Sequence, residues 1–154
     1  MTYENKLKAY IQKHQLAVEH LSFDVSCHSV ADAAAAVGAP PTYFVKNICL
    51  LGPNKEFAVA IVRGEDRVSF KKVAQLLGVK KMRMANAAEI LEYTGYPCGG
   101  TPSFGFPALY LMDKGIFSLP FVYTGGGSET SLVKATPQIL LAANKAQVAD
   151  IIKV

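Results

Sequence analysis

The sequence is poor in the residues that build disulfide frameworks and metal centres, and it contains no tryptophan. Its three cysteines, Cys27, Cys49 and Cys98, are odd in number and lack regular spacing, which indicates reduced thiols. Cys27 and His28 are adjacent, but adjacent side chains do not supply the spaced ligand pairs that zinc sites use. We therefore predict no disulfide and no metal site.

Long hydrophobic runs are also missing. The purest apolar stretch covers residues 57–62 and ends at Arg63, which is far too short for a membrane-spanning helix. Residues 1–6 lack the apolar segment of a signal peptide. These two absences predict a soluble, cytoplasmic protein.

The composition is that of a globular domain. Hydrophobic residues make up 51% of the chain and charged residues 18%, which excludes a disordered or fibrous protein. A length of 154 residues suits one domain with its own core, so we predict a single domain over residues 1–154. The net charge of +4 permits a polyanionic partner without establishing one.

Hydrophobic periodicity and capping residues predict five helices and several strands. The helices are expected to begin near residues 3, 29, 69, 86 and 136, and the strands to cover residues 43–51, 57–62, 108–112, 120–123 and 131–135. Residues 80–84 are predicted to form either a short basic strand or a link. Residues 20–28 are predicted to form a polar link. Because strands and helices do not alternate strictly, we predict a mixed α/β fold with a curved, partly closed mixed β-sheet and helices packed outside.

Two glycine-rich loops are candidates for a ligand site. Residues 95–105 contain four glycines and two prolines, a pattern that fits either a wide turn or a shaped backbone surface beside a ligand. Residues 125–128 form either a hairpin turn or a row of backbone N–H groups for an anion or a carbonyl. Neither loop has the spacing of a Walker motif or of a dinucleotide fingerprint, and we predict no cofactor.

Lys46 is the most informative single residue. It interrupts an apolar strand, where a cation is costly to bury unless it is paired or faces a cleft. Its side chain either reaches solvent from the strand edge or holds a phosphate, a ribose or a carbonyl oxygen. Cys98 lies in the first glycine loop, but all three histidines are far upstream of it, so no base for a thiolate is indicated.

The order of several short motifs resembles the YbaK/prolyl-tRNA-synthetase-associated editing domain family. The similar segments, in chain order, are residues 45–47, 57–67, 76–85, 93–96, 99–105 and 125–128. The resemblance extends over residues 29–143, and it lies in the combination of the motifs, since each one alone is weakly specific.

This resemblance implies an enzyme that hydrolyses the ester of a mischarged aminoacyl-tRNA. The expected substrate is alanine first, then cysteine or serine, on proline tRNA, with the acceptor end of the tRNA and prolyl-tRNA synthetase as partners. The family pattern implies a site made of the following residues: Lys46 and Gly100 as catalytic groups, and Asn47, Gly99, Thr101, Gly127 and Ser128 as substrate-binding groups. Gly100 is expected to offer its N–H to the substrate carbonyl, and Ser128 to help select the amino acid.

One residue departs from the family pattern. Ser103 stands where the family's loop usually has proline, and Pro102 is one position earlier. The conformation of the loop, and with it the donor at Gly100, therefore depends on how this chain accommodates Ser103.

The absence of a catalytic triad is compatible with ester hydrolysis. An aminoacyl ester is already activated, so positioning a water or a ribose hydroxyl and stabilising the oxyanion can suffice, with one donor contributing roughly 3–4 kcal/mol. Two alternatives stay open from the sequence. One is a non-catalytic module that binds tRNA or a synthetase, and the other is a small-molecule phosphate binder that uses residues 125–127.

Overall fold

Five α-helices and eight β-strands make up the structure, a computed structural model that describes residues 1–154. The helices are α1 (Tyr3–Lys13), α2 (Val30–Val37), α3 (Phe70–Leu77), α4 (Ala87–Thr94) and α5 (Pro137–Asn144). The strands are β1 (Glu19–Ser22), β2 (Val45–Leu51), β3 (Phe57–Arg63), β4 (Arg83–Met84), β5 (Leu109–Asp113), β6 (Val122–Gly125), β7 (Ser131–Ala135) and β8 (Gln147–Ala149). Two short 3-10 helices cover Pro41–Tyr43 and Lys114–Ser118. None of these helices is both long and apolar enough to cross a membrane.

The strands form two sheets rather than one. A five-stranded sheet has the order β4-β2-β3-β5-β8, with β2 antiparallel to β3 and β4, and with parallel pairs at β3–β5 and β5–β8. The second sheet has three antiparallel strands in the order β1-β7-β6. A single bridge between Phe44 and Tyr123 links the two sheets. The predicted mixed α/β class is confirmed, and neither sheet closes on itself.

The central strand β3 explains the apolar run at residues 57–62. Its odd-numbered residues Phe57, Val59 and Ile61 belong to the larger core, whereas its even-numbered side chains belong to a second core on the other face. Because both faces of β3 are buried, its residues 57–62 are all apolar and do not alternate between polar and apolar. Full burial of a side chain such as Ile61 contributes about 1.5–3 kcal/mol.

The helices begin where the capping residues predicted. The side chains of Ser29, Ser69, Asn86 and Thr136 each accept a hydrogen bond from the N–H three residues later. These bonds satisfy donors that the first turn of a helix leaves unpaired.

Two strands escaped the prediction. Strand β1 occupies part of the segment predicted as a polar link, and it pairs Glu19–Ser22 with β7 more than 100 residues later in the chain. Strand β8 follows the last helix and pairs with β5. Both strands are short and lie at sheet edges, so their sequences carry little apolar signal and their pairing is entirely non-local.

The N-terminus of α4 generates a test of pH dependence. Arg83 donates two hydrogen bonds of 2.8 Å to the carboxylate of Glu89, and the N–H of Asn86 donates a third. Led by the Arg83 bonds, these contacts lower the pKa of Glu89 from 4.5 to about 2. The ionised carboxylate therefore stabilises the fold above pH 4.5, and this contribution is lost as the pH falls toward 2.

We expect the urea midpoint of Glu89→Gln to lie below that of the wild type at pH 7 and to converge with it between pH 4.5 and pH 2. The control is Glu92→Gln on the same helix, because Glu92 is exposed and forms no ion pair. A Glu89→Gln midpoint that tracks the wild type at every pH would contradict the assignment.

Candidate active site

A cavity of about 220 Å³ lies beside the bridge that links the two sheets. Its wall combines the start of β2, the end of β6, helix α2 and the first glycine loop. The residues that line it are Cys27, His28, Ser29, Val30, Ala33, Phe44, Val45, Lys46, Asn47, Ile48, Ile90, Cys98, Gly99, Thr101, Tyr123, Thr124, Gly125 and Leu132. Most of this wall is apolar, and it contains no carboxylate.

Lys46 provides the cavity with a cation. It lies on β2 opposite Val62, half-buried, and its amine forms no hydrogen bond or ion pair with the protein. Lysines on open surfaces are hydrated by bulk water, whereas this one lines a cavity in which a bound ligand would replace part of that water. The amine is therefore available to an anionic or carbonyl oxygen.

Asn47 also lines the cavity, but its polar atoms are engaged by protein groups. Its Nδ2 donates to the carbonyl of Thr101 at 2.9 Å and to Oγ1 of Thr124 at 2.8 Å. Its Oδ1 accepts a hydrogen bond of 2.7 Å from Oγ of Ser103. The hydrogen bonds of the Asn47 amide thus go to the first glycine loop and to strand β6, and the substrate-binding role predicted for this residue stays a prediction.

The two glycine loops meet backbone to backbone. The N–H of Gly127 donates to the carbonyl of Gly100 at 2.8 Å. A Cβ at Gly100 would lie 2.7 Å from the main chain of Ser128, and a Cβ at Gly125 would collide with the carbonyl of Thr101. Glycine is required at both positions because only a residue without a side chain lets two main chains approach this closely.

The backbone N–H groups without an acceptor belong to the two neighbours of Gly100, which is the predicted donor. The N–H of Gly100 donates to the carbonyl of Pro97 at 3.0 Å, within its own loop, and Gly100 does not line the cavity. The N–H groups of Gly99 and Thr101 have no acceptor in the protein, and both residues line the cavity. Donation by Gly100 to a substrate stays a prediction, and it requires the bond to Pro97 to open.

Ser128 faces helix α1 rather than the cavity. Its Oγ donates to the carboxylate of Glu4 at 3.0 Å and lies 2.8 Å from Oγ of Ser131. Glu4 also accepts a hydrogen bond from Ser22, and this bond is the main reason why the pKa of Glu4 is lowered. Gly127 is likewise outside the lining, whereas Leu132 of the adjoining strand β7 forms part of the cavity wall.

His28 is a cavity residue that the sequence did not reveal. Its ring packs against Gly99, where a Cβ would collide with it. The fold therefore places an imidazole against the residue that follows Cys98 in the chain. Nδ1 of His28 lies 3.6 Å from Oε1 of Glu129, and both side chains are more than half exposed. The only sequence signal was its position directly before the N-cap of α2, which carries no information about a partner in another loop.

Fold and site together define a mixed α/β domain that presents one unpaired lysine and free main-chain N–H groups in a small, largely apolar cavity. A model of the aminoacyl-tRNA editing domain matches residues 24–143. The chain belongs to the aminoacyl-tRNA editing domain family, which confirms the resemblance found in the sequence.

The chain is similar to a small part of one known protein and to nearly the whole of two others. The chain is 32% identical over 80 residues to the proline–tRNA ligase of Trichlorobacter lovleyi, covering 52% of this chain and 14% of the ligase. It is 23% identical over 150 residues to the candidate Cys-tRNA(Pro)/Cys-tRNA(Cys) deacylase EbsC of Enterococcus faecalis, covering 92% of this chain and 88% of that protein. The crystal structure of a candidate trans-editing enzyme for prolyl-tRNA synthetase has a TM-score of 0.91 at 28% identity, covering 100% of this chain and 99% of that one.

The contact between the loops can be tested with Gly125→Ala. The new methyl group would displace the Thr101 carbonyl, and we expect a loss of about 1–3 kcal/mol in the free energy of unfolding. Gly52→Ala is the control, because a Cβ there meets only the flexible side chain of Glu56. Urea denaturation of the two variants measures the difference, and equal stabilities would argue against a tight contact between the loops.

Proposed function

We propose that this protein is a trans-editing aminoacyl-tRNA deacylase, which hydrolyses the ester between a small, wrongly attached amino acid and its tRNA. The observation that carries the proposal is the unpaired Lys46 amine in a cavity that is also lined by Gly99 and Thr101, whose backbone N–H groups have no acceptor in the protein. Membership of the editing domain family and the near full-length likeness to EbsC support it.

The cavity offers what hydrolysis of an activated ester needs. Attack of water, or of the free ribose hydroxyl, on the ester carbonyl places negative charge on the carbonyl oxygen. The N–H groups of Gly99 and Thr101 are suitable donors to this oxygen, and removing one such donor typically costs about 2.7–4 kcal/mol. Lys46 supplies the positive charge that holds the terminal nucleotide or stabilises the same oxygen.

The cavity wall favours a small side chain on the substrate. Apolar residues such as Phe44, Ile48 and Leu132 surround a volume of about 220 Å³. We propose alanine as the first substrate, followed by cysteine and serine, because a wall of this kind accepts a methyl or a thiol more readily than a hydroxyl. A cavity rejects larger side chains by steric exclusion, whereas it distinguishes one methylene by only about 1–3 kcal/mol.

Proline tRNA is the proposed carrier. The chain is similar to part of a proline–tRNA ligase, and EbsC is named for Cys-tRNA(Pro). The expected contact is with the acceptor end of the tRNA, which carries the ester, and prolyl-tRNA synthetase is the proposed protein partner. The reaction belongs in the cytoplasm, where aminoacyl-tRNAs are made.

Lys46→Ala tests the proposal. We expect kcat/KM for hydrolysis of mischarged Ala-tRNA(Pro) to fall about 100-fold or more, because the change removes a charge that acts on the substrate. The urea midpoint should stay near that of the wild type, since the amine has no protein partner. Lys71→Ala is the matched control, because Lys71 is exposed and lies outside the cavity.

The assay compares alanine, cysteine, serine and proline esters on the same tRNA. No hydrolysis above the buffer rate on any ester, together with tight tRNA or synthetase binding, would replace the proposal with the non-catalytic binding module. Equal rates for Lys46→Ala and the wild type would remove Lys46 from the mechanism.

A further inference from the structure

We propose that Asn47, Ser103 and Thr124 form a positioning cluster, which holds the first glycine loop in the conformation that receives the ester carbonyl. This inference rests on the proposed function. It assigns a role to two buried polar residues: Ser103, which the sequence marked only as a departure from the family pattern, and Thr124, which the sequence did not mark at all. The cluster positions other groups, and the proposal requires no contact between its hydroxyls and the substrate.

The three side chains form a closed ring of hydrogen bonds. Nδ2 of Asn47 donates to Oγ1 of Thr124 at 2.8 Å, and Oγ of Ser103 donates to Oδ1 of Asn47 at 2.7 Å. The two hydroxyl oxygens lie 2.7 Å apart. Ser103 and Thr124 are only 0% and 1% exposed, so water does not substitute for these bonds.

The number of hydrogen atoms available for donation fixes which group donates in each of the three hydrogen bonds. Ser103 has a single hydroxyl hydrogen, which goes to Asn47, so the hydrogen bond between the two hydroxyls must be donated by Thr124. The order is then Asn47 to Thr124, Thr124 to Ser103, and Ser103 back to Asn47. Bonds arranged in this way polarise one another. The Asn47 amide is thereby held in one orientation.

That orientation is transmitted to the loop. The second hydrogen on Nδ2 of Asn47 reaches the carbonyl of Thr101 at 2.9 Å. Asn144 at the end of α5 donates to the carbonyl of Ser103 at 2.9 Å. Pro102, which lies between Thr101 and Ser103, has a fixed φ angle. The loop is therefore pinned at two carbonyls, immediately after the free N–H groups of Gly99 and Thr101.

The ring also joins the two walls of the cavity. Thr124 belongs to β6 in the three-stranded sheet, whereas Asn47 belongs to β2 in the five-stranded sheet. Loss of the Thr124 hydroxyl would leave one N–H of the half-buried Asn47 amide without its acceptor and the buried Ser103 oxygen without its donor, and would remove one of the three bonds that orient the amide. A shift of the donors by about 1 Å is enough to lower the rate of a positioned reaction about 100-fold.

The experiment compares Thr124→Val with Thr124→Ser. Valine keeps the shape of threonine without the hydroxyl, and serine keeps the hydroxyl without the methyl. We expect Thr124→Val to lower kcat on the best mischarged tRNA about 10- to 100-fold with KM changed less than about threefold. Thr124→Ser is expected to restore kcat to within about threefold of the wild type.

Amide hydrogen exchange supplies a readout that does not depend on activity. The Gly127 N–H is protected by its bond to the Gly100 carbonyl, so we expect its exchange to accelerate in Thr124→Val and not in Thr124→Ser. Val73→Ala is the control for general loss of stability, because Val73 belongs to the second core and does not line the cavity. It is expected to lower the urea midpoint while leaving kcat and Gly127 exchange near the wild-type values.

The outcomes separate the two proposals. If the wild type is active and Thr124→Val has the same kcat and the same Gly127 exchange rate as the wild type, the positioning cluster is overturned and the deacylase proposal is supported. Failure of Thr124→Ser to rescue also overturns it. An inactive wild type overturns the deacylase and, with it, the catalytic purpose of the cluster. Should Thr124→Val not fold, Ser103→Ala takes its place with the same expected outcomes, because it removes the neighbouring hydroxyl of the ring.

Discussion

The close approach of two main chains is the constraint on which the rest of the site depends. Residues 99–101 and 125–128 come from different parts of the chain, and their backbones meet directly at Gly100, Gly125 and Gly127. Two backbones in contact bring many N–H and C=O groups together, and buried groups of this kind must find partners, so their pairing decides the geometry. The Gly127–Gly100 bond and the Asn47–Thr101 bond meet this requirement, and the N–H groups left over are the ones beside the cavity.

The polar residues near the cavity fall into two groups, those that are hydrogen-bonded to other protein groups and those that have no protein partner. Asn47, Ser103 and Thr124 are buried or half-buried, and they use their hydrogen-bonding capacity on one another and on the loop. Lys46 is next to Asn47 in sequence but has no protein partner. An unpaired cation therefore lies beside a paired polar ring, and the two proposals above depend on this arrangement.

Much of the fold could be predicted from local signals, whereas part of the site could not. Caps such as Ser29 and Asn86 mark helix starts because their effect extends over only three residues. The β2–β3 hairpin was also predictable, since a short turn joins two apolar runs. Strand β1 and the position of Ser128 were not, because each depends on a partner far away in the chain.

By itself, the sequence determined the mixed α/β class, the family, and the lysine that interrupts an apolar strand. These features follow from periodicity, capping and the order of short motifs, which are properties of neighbouring residues. Only the tertiary structure decided that Ser128 turns toward α1, that His28 reaches the cavity, and that Ser103 closes a ring with Asn47 and Thr124. The physical reason is that these contacts join residues far apart in the chain, and the glycines between them have no side chain that specifies a partner, so the sheets and helices decide which groups meet.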